Sequence, residues 1–192
     1  MESQTHIPLN LIADNSKPLE DTLTRWLFED EKGLITDEER DQIIPLNVEA
    51  SHALEFYTYK FGLWKFYPEV DKYFKEVKSF HYAYEGQGKG FKKWLYQLGI
   101  PFKKRVFLPL SNDESYVISW KILIKKSENI FHANDQIVWD NTLNWALYYH
   151  HDGELLFGCN RIYSATVEGE KKESDDQLIV DFMKRLNAKK DL

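Results

Sequence analysis

The sequence is poor in the residues that would tie it to an external scaffold. Its single cysteine, Cys159, leaves no partner for an internal disulfide and removes the Cys pairs on which most structural zinc sites are built. No stretch approaches the roughly eighteen consecutive apolar residues that a membrane-spanning helix needs. The first thirteen residues carry Glu2 in place of a basic cluster and are interrupted by Pro8, so they lack the pattern of a secretory signal. These absences point to a cytoplasmic protein with no membrane partner. Nine glycines and six prolines in 192 residues exclude a collagen-like chain, and 43% hydrophobic residues with 15% aromatics are enough to bury a core. The whole chain, 1–192, reads as one α+β domain, without repeats or a linker long enough to force a boundary.

There is also no overall excess of positive charge, since the formal net charge is −6. That figure hides three blocks: residues 1–59 carry −9, residues 60–126 carry +8 and residues 127–192 carry −5. Sixteen of the 29 aromatic residues fall in the basic block. Basic charge interleaved with rings can hold single-stranded nucleic acid. The competing reading puts Trp64, Trp94 and Trp120 in the core, with the lysines pairing with the acidic flanks.

Periodicity suggests a mainly helical N-terminal half. Leu19, Leu23, Trp26 and Leu27 have helical spacing over 19–30, although Arg25 to Phe28 could begin a strand. Thr36 and Glu39 form a capping-box pattern for a short helix to Ile43 or Ile44, stopped by Pro45. Asn47 caps a helix through Ala50, Leu54, Tyr57, Phe61 and Trp64, and Val70, Tyr73, Phe74 and Val77 continue the helical spacing. A strand is expected at Phe80 to Tyr84, a helix at Phe91 to Leu98 and a strand at Val106 to Leu110. Residues 115–126 fit a strand or a helix, with β-branched and aromatic residues favouring strand. Asn144 to Tyr163 reads as a hairpin turning at Asp152-Gly153, with Trp145, Leu147 and Tyr149 on one face of an antiparallel sheet. Ser174 and Gln177 cap a closing helix bearing Leu178, Ile179, Phe182, Met183 and Leu186.

Four candidate sites follow. The loop Gly86, Gly88, Lys89 and Gly90, with Lys92 and Lys93, could cradle a phosphate at a helix N-terminus, and Lys103, Lys104 and Arg105 could extend that site along a nucleic acid. It has neither the glycine spacing of a dinucleotide fingerprint nor a P-loop Gly-Lys-Ser/Thr. His150, His151, Asp152 and Glu154, with Asp140, His81 and His132, could act as bases or ligands. Adjacent histidines on a strand point to opposite faces, however, so the sequence assigns no metal site and no cofactor. Cys159 could be a nucleophile if His150 or His151 lay across the hairpin from it, but no catalytic signature surrounds it. No catalytic residue is assigned, and a hydrolase built on these groups ranks third. The fourth site is a protein-binding surface: Glu29, Asp30, Glu31, Asp37, Glu38, Glu39 and Asp41 make a negative field, with Trp26, Phe28 or Tyr148 as aromatic anchors.

The hairpin from Trp145 to Gly158, with its His150-His151-Asp152-Gly153 turn and the following Phe157-Gly158, resembles segments of small cytoplasmic bacterial proteins, among them immunity proteins of polymorphic toxin systems. The resemblance implies a non-enzymatic inhibitor that occludes a toxin, and an acidic face suits a basic toxin domain. The leading expectation is therefore a protein-binding domain, and the alternative is a phosphate or nucleic acid binder using the basic central segment.

Overall fold

A computed structural model describes residues 7–65, 69–82, 87–132 and 134–162. Their centre is a seven-stranded sheet, antiparallel at every pairing, made of β1 (Ile43–Pro45), β2 (Phe74–His81), β3 (Arg105–Pro109), β4 (Ser115–Ser119), β5 (Gln136–Trp139), β6 (Trp145–Tyr149) and β7 (Glu154–Arg161). The order across the sheet is β1-β4-β3-β5-β6-β7-β2. Alternation along the strands sorts their side chains into two cores. One face carries Val106, Leu108, Tyr116, Ile118, Trp145, Leu147, Tyr149 and Leu155, covered by α4 (Gly88–Gln97) and α5 (Trp120–Ile130). The opposite face carries Phe107, Val117, Ile137, Trp139 and Ala146, covered by α2 (Val48–Lys60) and the 3-10 turn Leu9–Asp14. Helices on both sides of an antiparallel sheet give the α+β class expected from the sequence. Trp120 is fully buried and Trp64 and Trp94 are half-buried against these cores, as the core reading required.

Several local signals hold. Thr36 and Glu39 form the capping box of α1 (Asp37–Arg40), and the Asn47 side chain accepts from the Ala50 N–H at the start of α2. Residues 115–126 are both a strand and a helix. β4 ends at Ser119, whose hydroxyl accepts from the Ile122 N–H and opens α5.

Three expectations are corrected. Residues 19–30 form two short 3-10 turns, Leu19–Asp21 and Arg25–Phe28, because Thr22 Oγ1 donates to the Leu19 carbonyl and the Leu23 N–H donates to the Glu114 carboxylate 91 residues away. α1 lasts one turn and does not reach Ile43, which pairs with Ile118 of β4 in a short edge strand. Helical spacing after Pro68 survives only in α3 (Val70–Tyr73). From Phe74 onward the backbone is extended as β2 and pairs with β7, so sheet pairing overrides the local helical pattern. Among the described residues no helix is long and apolar enough to cross a membrane. The expected closing helix at 174–186 lies outside the described residues.

Candidate functional site

The acidic segment meets the basic one directly. Glu38 pairs with Lys121 at 2.6 Å, and Glu39 lies 3.0 Å from Lys125 and 3.2 Å from Lys126. Arg25 pairs with Glu29, and Arg40 with Glu20. The acidic and basic blocks therefore interlock through Glu38 and Glu39 on one side and Lys121, Lys125 and Lys126 on the other. Glu39 is buried and belongs to this internal network, not to a surface. What remains outward is Asp30, Glu31, Asp37 and Asp41, all exposed and without an ion pair among the described residues. Asp30 instead accepts from the Lys32 and Leu34 N–H groups, and its own N–H donates to the Leu34 carbonyl, which fixes the 30–34 loop. The two backbone hydrogen bonds are the main reason that the Asp30 carboxyl lies below its ordinary range.

Three apolar side chains of the 23–34 segment are left out of the core: Leu23 at 91% exposure, Trp26 at 53% and Leu34, at the end of the loop, at 58%. Trp26, Glu29, Asp30 and Glu31 line one shallow concavity with Lys92, Lys125 and Glu128. Glu38 and Asp41 line another with the exposed ring of Phe102, Lys103, Arg105 and Lys121. Two proposed anchors are corrected. Phe28 is fully buried with its ring edge-on to Tyr116 at 4.9 Å, and Tyr148 is buried, its ring edge-on to Trp64 at 6.3 Å.

The glycine and lysine segment is not an open loop. Gly88 and Gly90 lie in the first turn of α4, and the Glu128 carboxylate sits where a Gly88 side chain would be. Lys92 pairs with that same Glu128, so the helix start already faces an anion of the chain itself. Lys89 and Lys93 are exposed, and Gly86 lies outside the described residues. Lys104 is engaged by Asp140 at 2.8 Å.

At the hairpin tip the turn spans four residues, with the His150 N–H donating to the Glu154 carbonyl and the Gly153 N–H to the His150 carbonyl. Of the expected Asp-Gly pair only Gly153 takes a positive φ, +93°, and the Tyr82 carbonyl lies against its α-carbon. Leaving the strand at this point also removes the alternation that would have parted His150 and His151. Their ring centroids are 4.1 Å apart. His151 Nδ1 and its backbone N–H both lie 2.9 Å from Asp135 Oδ1, and His150 Nδ1 lies 2.8 Å from Asp152 Oδ1. The Asp152 carboxylate raises the His150 pKa, and burial, the largest influence on Asp135, is outweighed by the His151 contacts, so that carboxyl lies below its ordinary range. Asp135 was absent from the candidates because it stands fifteen residues upstream; only the β5-β6 pairing, Gln136 opposite Tyr149, brings it here.

Cys159 lies opposite Trp145, with Glu76 on its other side, and not opposite either histidine. Burial, then Glu76, pushes its thiol pKa up, the wrong direction for a nucleophile. Asp140 is at the other end of β5 from the histidines. At 1% exposure it accepts from Trp145 Nε1 at 3.0 Å and the Thr142 N–H at 2.9 Å while pairing with Lys104. Its role is to hold the turn between β5 and β6. Asp140→Leu is expected to cost about 2–4 kcal/mol by stranding these donors; an unchanged urea midpoint would show that they find other partners. Comparison with family models, curated proteins and solved structures finds no match to this chain.

Proposed function

We propose that this chain is a non-enzymatic protein-binding domain that takes a basic partner on the segment from Leu23 to Asp41. The observation that carries this reading is the exposure of Leu23, Trp26 and Leu34 along one short segment whose 30–34 loop is already fixed by Asp30. A backbone already held in place, as the 30–34 loop bearing Leu34 is, loses little entropy on binding, and a ring such as Trp26 is the type of side chain that dominates interface energetics. Asp30, Glu31, Asp37 and Asp41 supply charge that no ion pair among the described residues neutralises, which suits lysine- or arginine-rich surfaces. The resemblance of the hairpin to immunity proteins suggests the form this takes: inhibition of a basic toxin domain in the cytoplasm by occlusion.

The test is capture of a stoichiometric partner on the immobilised full chain, followed by affinity measurements with the purified partner. Trp26→Ala is expected to weaken binding by about 30-fold or more, and Glu31→Lys with Asp37→Lys to slow association and remove its salt dependence. Co-expression with a toxic partner should restore growth, and the Trp26→Ala chain should restore it less. A partner that binds all these variants as tightly as the parent chain overturns the reading.

A further inference from the structure

We propose that the hairpin tip is a site for a divalent transition-metal ion, zinc above all, with Asp135, His150 and His151 as its protein ligands and Asp152 as the carboxylate that positions His150. Among the described residues this is the one group of histidine, cysteine and acidic side chains whose ligand atoms converge, all lying within 4.8 Å of one another. A tetrahedral zinc ion with bonds of about 2.0–2.1 Å holds its ligand atoms about 3.4 Å apart. The backbone already brings the two rings to a centroid separation of 4.1 Å, so the donor atoms start close to that spacing. Two borderline imidazole nitrogens beside one hard carboxylate oxygen favour zinc, nickel, cobalt or copper over the all-oxygen shells that calcium and magnesium require.

The surroundings add order to the donor set. The Asp135 carboxylate is held by the backbone N–H of His151 and lies within 3.4 Å of the Tyr148 hydroxyl, so one ligand is fixed before any ion arrives. The Asp152 carboxylate lies 2.8 Å from His150 Nδ1 and so bears directly on the orientation of that ring. The ligands come from two segments, the entry to β5 and the turn between β6 and β7, so an ion would clamp one end of the sheet. His151 is 60% exposed, and the open side leaves a coordination position for water or for a donor from a partner.

The test uses the tag-free full chain. Calorimetric titration with zinc chloride should show one ion per chain, and cobalt(II) should develop the visible absorption of a tetrahedral nitrogen and oxygen site. His151→Ala and Asp135→Asn should each weaken zinc binding by about 100-fold, while Asp152→Asn weakens it by about 10-fold and Asp152→Glu restores it. His52→Ala, which removes a lone histidine 3.0 Å from Asp113, is the control and should change nothing. The melting temperature should rise with zinc in the parent chain and not in His151→Ala; circular dichroism confirms that each variant folds. No heat and no cobalt band, or equal affinity in the parent, His151→Ala and Asp135→Asn chains, overturns the proposal and leaves the tip as an ion-pair cluster only.

Discussion

Replacing Glu39 with alanine is expected to lower stability by about 3–5 kcal/mol, a large share of what holds a domain of this size folded. One Glu39 oxygen lies 3.0 Å from Lys125 and 3.2 Å from Lys126, and the other accepts from the Thr36 N–H at 3.0 Å and the Thr36 hydroxyl at 2.9 Å. Lys126 is itself only 6% exposed, so truncating Glu39 strands a buried ammonium as well as opening the capping box. Burial raises the Glu39 pKa, but the hydrogen bonds from Thr36 and the contacts with Lys125 and Lys126 outweigh it and hold the carboxyl at about 2, against 4.5 ordinarily. A folded-state value below the unfolded one means stabilisation that is fully present above pH 4.5 and is lost as the pH falls towards 2. Urea denaturation of the parent chain and Glu39→Gln across that window should therefore converge towards the acid end. A difference between them that does not change with pH would show that the carboxylate charge contributes nothing. Because Glu39 ties α1 to α5, the alanine variant should also loosen the 29–41 segment and weaken partner binding without touching an exposed anchor.

The features legible in the sequence were those decided by neighbours in the chain. Thr36 and Glu39 satisfy one another's backbone three residues apart, Asn47 caps α2 over the same distance, and the two-residue alternation of Trp145, Leu147 and Tyr149 sets them on one face whatever lies across the sheet. What stayed hidden depends on distant partners. The 19–30 segment has helical spacing, yet Glu114 draws the Leu23 N–H away and Tyr116 meets the Thr24 hydroxyl, leaving Leu23 and Trp26 outside the core. β2 is a strand because β7 offers it an edge. The charge blocks looked like separate surfaces along the chain, but β4 and α5 carry Lys121, Lys125 and Lys126 to the acids of α1. For the same reason the sequence grouped Asp140 with the histidines and missed Asp135: both flank β5, and only the strand's direction in the sheet decides which of them reaches the tip.

Gly158→Ala should be among the most damaging single-methyl additions in this chain, with an expected cost of about 3 kcal/mol. In the sequence Gly158 stood out only as part of the Phe157-Gly158 pair that follows the hairpin turn. In the sheet it lies between Ala146 on β6 and Val77 on β2, and a side chain there would occupy the space of the Phe74 ring, whose nearest carbons it would clash with. Phe74 is fully buried in the core under α2, and it opens the β2 strand that closes this edge of the sheet. The small residues Ala146 and Gly158 thus make the trench in which that ring rests. An alanine must either expel the ring or push β2 away from β7, since close-packed interiors yield little. Phe74→Leu alone should cost about 1 kcal/mol and should recover part of the loss when combined with Gly158→Ala, because the smaller side chain vacates the disputed space. The double-mutant cycle by urea denaturation reads this coupling. Strict additivity, or a Gly158→Ala cost under about 1 kcal/mol, would mean that the ring moves freely and that the β2 edge does not depend on it.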